Sequence, residues 1–231
     1  DLANWLVVVG SNVAGWEYAP AVTRAIMVIS TALTGGVAAY LAWRLYRDAL
    51  VAALTGVIAV TFADVLLYRG WLGYRDPLLM LQVFGAIACL WLSVHERRGA
   101  WLLGVWLCAS TGFLNKGLIA YAYVGAATLV LLARREARSY LLRPMPMLMA
   151  AATLAVPYLW AQGLTGDQTL NKTLGSEIGS KLALPGFAEY LRKLVEWPLE
   201  TFARVLPAPL LVWWYRKRMT GQWVHDVHLR T

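Results

Sequence analysis

Apolar residues occur along this chain in long runs that alternate with short polar or charged stretches. The runs cover residues 21–43, 49–67, 77–94, 100–114, 118–133, 144–161 and 202–215. A helix of about 20 residues crosses the hydrocarbon core of a bilayer, which is roughly 30 Å thick. The pattern therefore predicts an all-α, polytopic transmembrane helical bundle, built as a single membrane-embedded domain over residues 1–231 with about seven apolar segments.

Three stretches do not fit a membrane span. The apolar run at 5–9 is too short, and it predicts a re-entrant or interfacial helix. Residues 162–200 are rich in Gly, Asn, Thr, Ser and charged side chains, with an amphipathic segment at 187–197. We interpret 162–200 as one outer-face loop carrying an interfacial helix. Residues 216–231 form a basic and polar end that we interpret as a cytoplasmic tail.

Composition and charge support the membrane assignment. Hydrophobic residues make up 59% of the chain and charged residues 15%, against about 25% charged in soluble domains. The net charge of +8 would also suit a nucleic-acid-binding protein. The basic residues, however, stand in short clusters between apolar runs, as topology signals do. We therefore expect the lipid bilayer and not nucleic acid as a partner.

The alternation of loops assigns a side to each cluster. One side receives arginines and a lysine at 44, 47, 97, 98, 134, 135, 138, 143 and 216–218. By the positive-inside rule this side is cytoplasmic, which predicts a multi-pass membrane protein. The opposite side receives residues 69–76, the break at Asn115-Lys116-Gly117, and the loop 162–200. Asp76 and Lys116 are therefore predicted to share the outer face.

Asp76 and Lys116 are the strongest candidates for chemistry. Asp76 precedes Pro77, which suits the first turn of a helix, so Asp76 is either a plain N-cap or a capping carboxylate that also binds substrate. Lys116 interrupts an apolar hairpin, where it either holds a phosphate at headgroup level or simply snorkels to water. Arg75 is a phosphate contact or an interfacial anchor.

Other polar groups carry weaker signals. Glu177 and Lys181 lie four residues apart in the outer loop, where an ordinary helix salt bridge is the simpler explanation. His225 and His228 lie in a polar tail, and we predict no metal site there. Cys89 and Cys108 fall inside apolar runs and are interpreted as small buried hydrophobes. Neither a Gly-rich phosphate loop nor a nucleophile elbow occurs in the sequence.

In their order and shared face, these motifs resemble the polyprenyl-phosphate-sugar-dependent glycosyltransferases of the GT-C fold, notably the bacterial protein O-mannosyltransferase and lipid A aminoarabinose transferase families. That pattern has an outer Asp-Pro opening a helix, matched by Asp76-Pro77, and a Gly-rich span ending in Thr-Lys-Gly, matched with Asn115 in place of the threonine. The entry 19–43 followed by Arg44–Asp48 also matches, and Glu177 with Lys181 does so more weakly. The resemblance covers about residues 2–215.

The resemblance implies a GT-C-like bundle in the inner (plasma) membrane, with its active face and the loop 162–200 in the periplasm. Such a protein transfers a sugar from polyprenyl (undecaprenyl) phosphate to a glycan, lipid or protein acceptor. The resemblance also implies that Lys116, helped by Arg75, binds the lipid phosphate and that Asp76 positions the substrate. The family's main catalytic base lies in an acidic pair on an earlier outer loop, which would lie upstream of Asp1, so the chain resembles an N-terminally incomplete member. No cofactor is expected in this chain, and a divalent metal would belong to that upstream loop of the complete protein.

A non-catalytic transporter, flippase or lipid-binding subunit is the alternative. Such proteins also place charges on broken helices, but at the bilayer midplane. Here the charges map to the outer boundary, which favours chemistry on a lipid headgroup.

Overall fold

The structure is a computed structural model that describes residues 2–61 and 76–164, together with Arg192 and Glu196. The described residues are helical almost throughout, and no strand occurs among them. The helices are α1 (Leu2–Ala14), α2 (Ala19–Tyr46), α3 (Ala49–Thr61), α4 (Asp76–Glu96), α5 (Ala100–Lys116), α6 (Ile119–Leu132), α7 (Arg135–Leu141) and α8 (Pro144–Leu164), with a 3₁₀ turn at Trp16–Tyr18. The chain divides into two compact units, Asp1–Trp160 and Ala161–Thr231.

The lengths of these helices confirm an all-α, polytopic helical membrane protein. Within the described ranges, Trp16–Tyr46 and Asp76–Glu96 are long and apolar enough to cross a bilayer. A third span forms if Arg135–Leu141 and Pro144–Leu159, which meet at 71°, are counted together. The apolar helices α1, α3 and α6 are shorter, and α1 agrees with the prediction of a short helix near residues 5–9.

Helices α4 and α5 form an antiparallel hairpin whose contact is made of small residues. A Cβ added at Gly104 would lie 2.6 Å from Cys89 Sγ, and one at Gly85 would lie 3.2 Å from Cys108 Sγ. Each thiol therefore occupies the space left by a glycine on the facing helix, a form of close approach common in membrane bundles. Both cysteines are free and half-buried, which agrees with their interpretation as small packing residues.

The α2–α3 contact depends on one of two adjacent glycines. A Cβ at Gly35 would lie 2.4 Å from Val60 Cγ1 and 3.1 Å from the Gly56 carbonyl oxygen. A Cβ at Gly36 would have no described heavy atom within 4 Å. Of these two glycines, Gly35 is the one that faces α3 and allows the helices to approach closely.

The structure differs from the predicted boundaries in the second half of the bundle. Residues 134–143, predicted as a charged loop, contain the short helix α7. The 71° bend lies at the junction of α7 and α8, and Pro157 lies inside α8. Helix α8 continues to Leu164, three residues into the predicted loop 162–200. The rest of the loop 162–200, the last apolar run and the tail 216–231 lie outside the described residues, apart from Arg192 and Glu196, whose side chains form an i,i+4 ion pair.

Two ion pairs mark opposite ends of the bundle. Arg44, near the end of α2, pairs with Glu96 at the end of α4, whereas Asp76, at the start of α4, pairs with Lys116 at the end of α5. We call these the Glu96 end and the Lys116 end. Helix α7 packs near Leu90, so its arginines belong to the Glu96 end. The described basic clusters thus share one end, as the charge pattern predicted, and residues 216–218 lie outside the described residues.

Candidate functional site

The Lys116 end is built around one ion pair across the open side of the α4–α5 hairpin. Lys116 Nζ donates a hydrogen bond to Asp76 Oδ1. The Asp76 side chain is 28% exposed and that of Lys116 is 40% exposed. The pair is therefore accessible from solvent and is not sealed inside the protein.

Helix dipoles favour both charges where they stand. Asp76 is the first residue of α4, and Lys116 is the last residue of α5. A carboxylate is stabilised at a helix N-terminus and an ammonium at a C-terminus. Because the hairpin is antiparallel, these two ends lie side by side, and the two favourable positions bring opposite charges together.

Gly117 ends α5 directly after Lys116. Its backbone has φ 66° and ψ −146°, and its N–H donates to the Phe113 carbonyl at 2.7 Å. A positive φ of this kind is easy only for glycine. The break predicted at Asn115-Lys116-Gly117 is thus confirmed, and Gly117 is what places Lys116 at a helix terminus.

A buried pair of amides lies just inside the ion pair. Asn115 Nδ2 donates to Gln82 Oε1 at 3.2 Å, and the two residues are only 4% and 5% exposed. Buried amides are costly unless they are hydrogen-bonded, so this contact favours one register of α4 against α5. Among the described residues, Asn115 Oδ1 has no hydrogen-bond partner. The amide pair therefore helps to align Lys116 with Asp76.

Close packing makes this end of the bundle rigid. A Cβ at Gly112 would lie 2.9 Å from Ala120 Cβ and 3.6 Å from Gln82 Cβ. The rings of Phe113 and Tyr121 stack with centroids 5.5 Å apart. Tyr121 also donates from its hydroxyl to the Thr153 carbonyl at 2.8 Å, which links α6 to α8.

Sequence reasoning missed Gln82 in this site. Its signal was available: Gln82 is an uncharged amide inside an otherwise apolar run, and such a residue needs a partner in a membrane bundle. The identity of the partner, 33 residues further along the chain, could not be deduced from spacing.

The other predicted site residues, Arg75, Glu177 and Lys181, lie outside the described residues, as do His225 and His228. Their predicted roles stay predictions. Among the described residues, no group of three or more His, Cys, Asp or Glu side chains is arranged to hold a metal ion.

The Glu96 end holds a second cluster that the sequence did not single out. Glu96 accepts from Arg44 Nη2 and from Trp101 Nε1 at 3.1 Å. Arg98 lies 3.9 Å from the same carboxylate, and Arg44 also donates to the Tyr40 hydroxyl at 2.8 Å. The Glu96 side chain is only 10% exposed, so this cluster joins helices and offers little access to a ligand.

Comparison with known proteins agrees with the resemblance drawn from the motifs. Over 141 residues the chain is 30% identical to the undecaprenyl phosphate-alpha-4-amino-4-deoxy-L-arabinose arabinosyl transferase of Enterobacter sp. (strain 638). The aligned part covers 58% of this chain and 25% of that protein, so the chain matches about a quarter of the relative's length. No family model and no solved structure matches the chain.

Proposed function

We propose that this chain is part of an integral membrane glycosyltransferase that uses a polyprenyl-phosphate sugar, undecaprenyl phosphate being the expected carrier. The enzyme would move the sugar to an acceptor hydroxyl or phosphate at the outer face of the membrane. The similarity to the arabinosyl transferase supports the donor class. The observation that carries the assignment to this chain's own residues is the accessible Asp76–Lys116 pair at one end of the bundle.

Lys116 has the properties required for binding a lipid phosphate. Its ammonium is a compact cation with three donors on a flexible stem. The side chain is accessible, and it stands at the mouth of a membrane helix, where the headgroup of a membrane lipid would lie. A phosphodiester can therefore approach Lys116 without a rearrangement of the helices.

Lys116 contributes most to the reaction while the bond between the sugar and the donor phosphate breaks. The acceptor oxygen attacks the anomeric carbon, and the bond between that carbon and the phosphate oxygen breaks. The phosphate keeps the electron pair, so its charge grows from one negative charge to two, while a general base accepts the acceptor proton. An ammonium already placed beside the phosphate stabilises the growing charge.

Asp76 serves this site by holding the lysine and positioning the substrate. It fixes the ammonium before the donor arrives. Once the phosphate shares that ammonium, the carboxylate is able to accept hydrogen bonds from hydroxyl or amino groups of the sugar. Arg75, the neighbour of Asp76 in the sequence, is proposed as a second phosphate contact.

The proposed sidedness depends on charge. Arg97, Arg98 and the four arginines at 134, 135, 138 and 143 are exposed at the end opposite Lys116. Basic loops face the cytoplasm. The Asp76–Lys116 site is therefore proposed to face the periplasm.

The test is transfer of a labelled sugar from undecaprenyl phosphate by the complete protein in proteoliposomes, with donor binding measured in parallel. We expect Lys116→Ala to lower kcat/KM by about 100-fold, the usual effect of removing one group that stabilises an oxyanion. Arg97→Asn, which removes an exposed cation at the opposite end, should keep activity within twofold. Equal activity of Lys116→Ala and the wild-type protein would refute the site. Donor binding without turnover by the wild-type protein would favour a lipid-binding subunit.

A further inference from the structure

Helix α7 is held against the side of the bundle by three residues. Ala137, Tyr140 and Leu141 are buried, and Tyr140 and Leu141 pack in a cluster with Leu90 of α4. Leu90 lies six residues before Glu96, which corresponds to about 9 Å along the helix axis. Helix α7 therefore lies beside the last turns of α4.

The remaining surface of α7 is strongly basic. Arg134, Arg135, Arg138 and Arg143 are all exposed, and we call them the α7 arginine face. In the part of the chain that the structure describes, none of these four guanidinium groups forms an ion pair, whereas Arg44 and Arg98 contact Glu96. Glu136 is the acidic residue of this helix.

Helix stability explains only part of this pattern, because Arg138 lies in the last turn of α7, where a positive charge is favoured. Arg134 and Arg135 stand at the start of α7, where a positive charge opposes the helix dipole. The Arg143 guanidinium lies 5.9 Å from the centre of the Tyr140 ring. Among the described residues, this weak cation–π contact is the one side-chain interaction found for the four arginines. The face therefore lacks an anionic partner among the described residues.

Apolar side chains stand next to the basic ones at the corner between α7 and α8. The two helices meet at 71°, and Leu142, Met145 and Leu148 are exposed there. Arginines beside exposed apolar residues are typical of a segment in the membrane interface, where the apolar groups contact acyl chains and the cations contact headgroups.

We propose that the α7 arginine face binds the headgroups of anionic phospholipids in the leaflet at the Glu96 end. A guanidinium matches a phosphodiester with two parallel hydrogen bonds. Each arginine near an anionic surface contributes about 1 kcal/mol, equivalent to about a fivefold change in affinity. The inference depends on the membrane fold and not on the proposed enzymatic activity.

The test uses the complete protein in discs of phosphatidylglycerol and phosphatidylcholine in equal amounts, followed by native mass spectrometry of the retained lipids. We expect the wild-type protein to retain phosphatidylglycerol preferentially. Arg135→Gln combined with Arg138→Gln should lower that preference by about fivefold or more. Arg135→Lys combined with Arg138→Lys, which keeps the charge, should stay within about threefold of the wild-type value.

A matched control removes the same charge elsewhere at this end. Arg47→Asn combined with Arg97→Asn changes two exposed turn residues whose backbones have φ 55° and 53°, a conformation that asparagine tolerates. We expect less than a twofold change in lipid preference. An equal loss in this control would mean that overall charge attracts the lipid, and an unchanged preference in the glutamine variant would likewise overturn the proposal.

A measurement on the wild-type protein covers the case in which the glutamine variant does not insert. Raising the salt from about 0.1 M to about 1 M shortens the screening length from about 10 Å to about 3 Å. The preference for phosphatidylglycerol should then be largely lost. A preference that survives high salt would contradict binding through the α7 arginine face.

Discussion

The two ends of the bundle use the same charges for different purposes. At the Glu96 end, one carboxylate is surrounded by an arginine, an indole N–H and a second, more distant arginine, and it is almost hidden from solvent. At the Lys116 end, a carboxylate and a lysine face each other with both side chains accessible. A closed cluster with several donors stabilises a helix contact, whereas an accessible pair is able to exchange its partner for a ligand.

The largest expected difference between the two ends is the side of the membrane that each one faces. Leu118→Cys, placed at the Lys116 end, should react with a membrane-impermeant maleimide in intact cells. Arg97→Cys, at the Glu96 end, should react only after the membrane is permeabilised, because basic loops stay in the cytoplasm. A background without Cys89 and Cys108 serves as the control for labelling. The reverse pattern would place the site on the cytoplasmic side.

Loss of the acidic partner is expected to reduce catalysis at the Lys116 end. Asp76→Asn keeps the shape of the side chain but removes the charge that holds Lys116, so we expect a decrease in kcat of about 10- to 100-fold with normal membrane insertion. Sugar transfer by purified protein measures it. The matched control is Glu136→Gln, which neutralises an exposed carboxylate at the opposite end and should leave kcat unchanged. Normal turnover in Asp76→Asn would argue that the pair is structural.

The same neutralisation at the Glu96 end should affect stability instead. Glu96→Gln leaves Arg44 without its counter-charge, and a partly buried unpaired cation is unfavourable. We expect the midpoint of thermal unfolding in detergent to fall by several degrees, while kcat of the folded protein stays within about twofold. If turnover falls as strongly as in Asp76→Asn, the contrast between the two ends is wrong.

Within the Lys116 end, the buried amide pair should affect activity less than the ion pair does. Asn115→Leu or Gln82→Leu leaves the partner amide unsatisfied, which costs about 1–3 kcal/mol of stability, and we expect kcat to fall by about fivefold because Lys116 is less well placed. Unfolding and turnover measurements on both single variants and the double variant form a cycle. The double variant should lose less stability than the sum of the two single variants. Simple additivity would show that the hydrogen bond does not couple α4 to α5.

The sequence alone was sufficient for the architecture because the relevant signals are local. The length of each apolar run predicts a helix, and the break at Asn115-Lys116-Gly117 follows from a glycine that adopts positive φ. Alternating basic loops assigned Asp76 and Lys116 to one end before any contact was known. The sequence placed the two residues on one face but did not predict that they form an ion pair, which follows from the antiparallel packing of α4 against α5.

Tertiary structure decided the contacts that depend on how separate helices are rotated and aligned. Gln82 meets Asn115 across 33 residues, and Arg44 meets Glu96 across 52. Which of Gly35 and Gly36 faces α3 depends on the rotation of α2, and the position of α7 depends on the packing of Tyr140 and Leu141. Such contacts arise from the three-dimensional arrangement of helices distant in the chain, so hydrophobic pattern and charge could predict the bundle and its charged ends but not the partners within it.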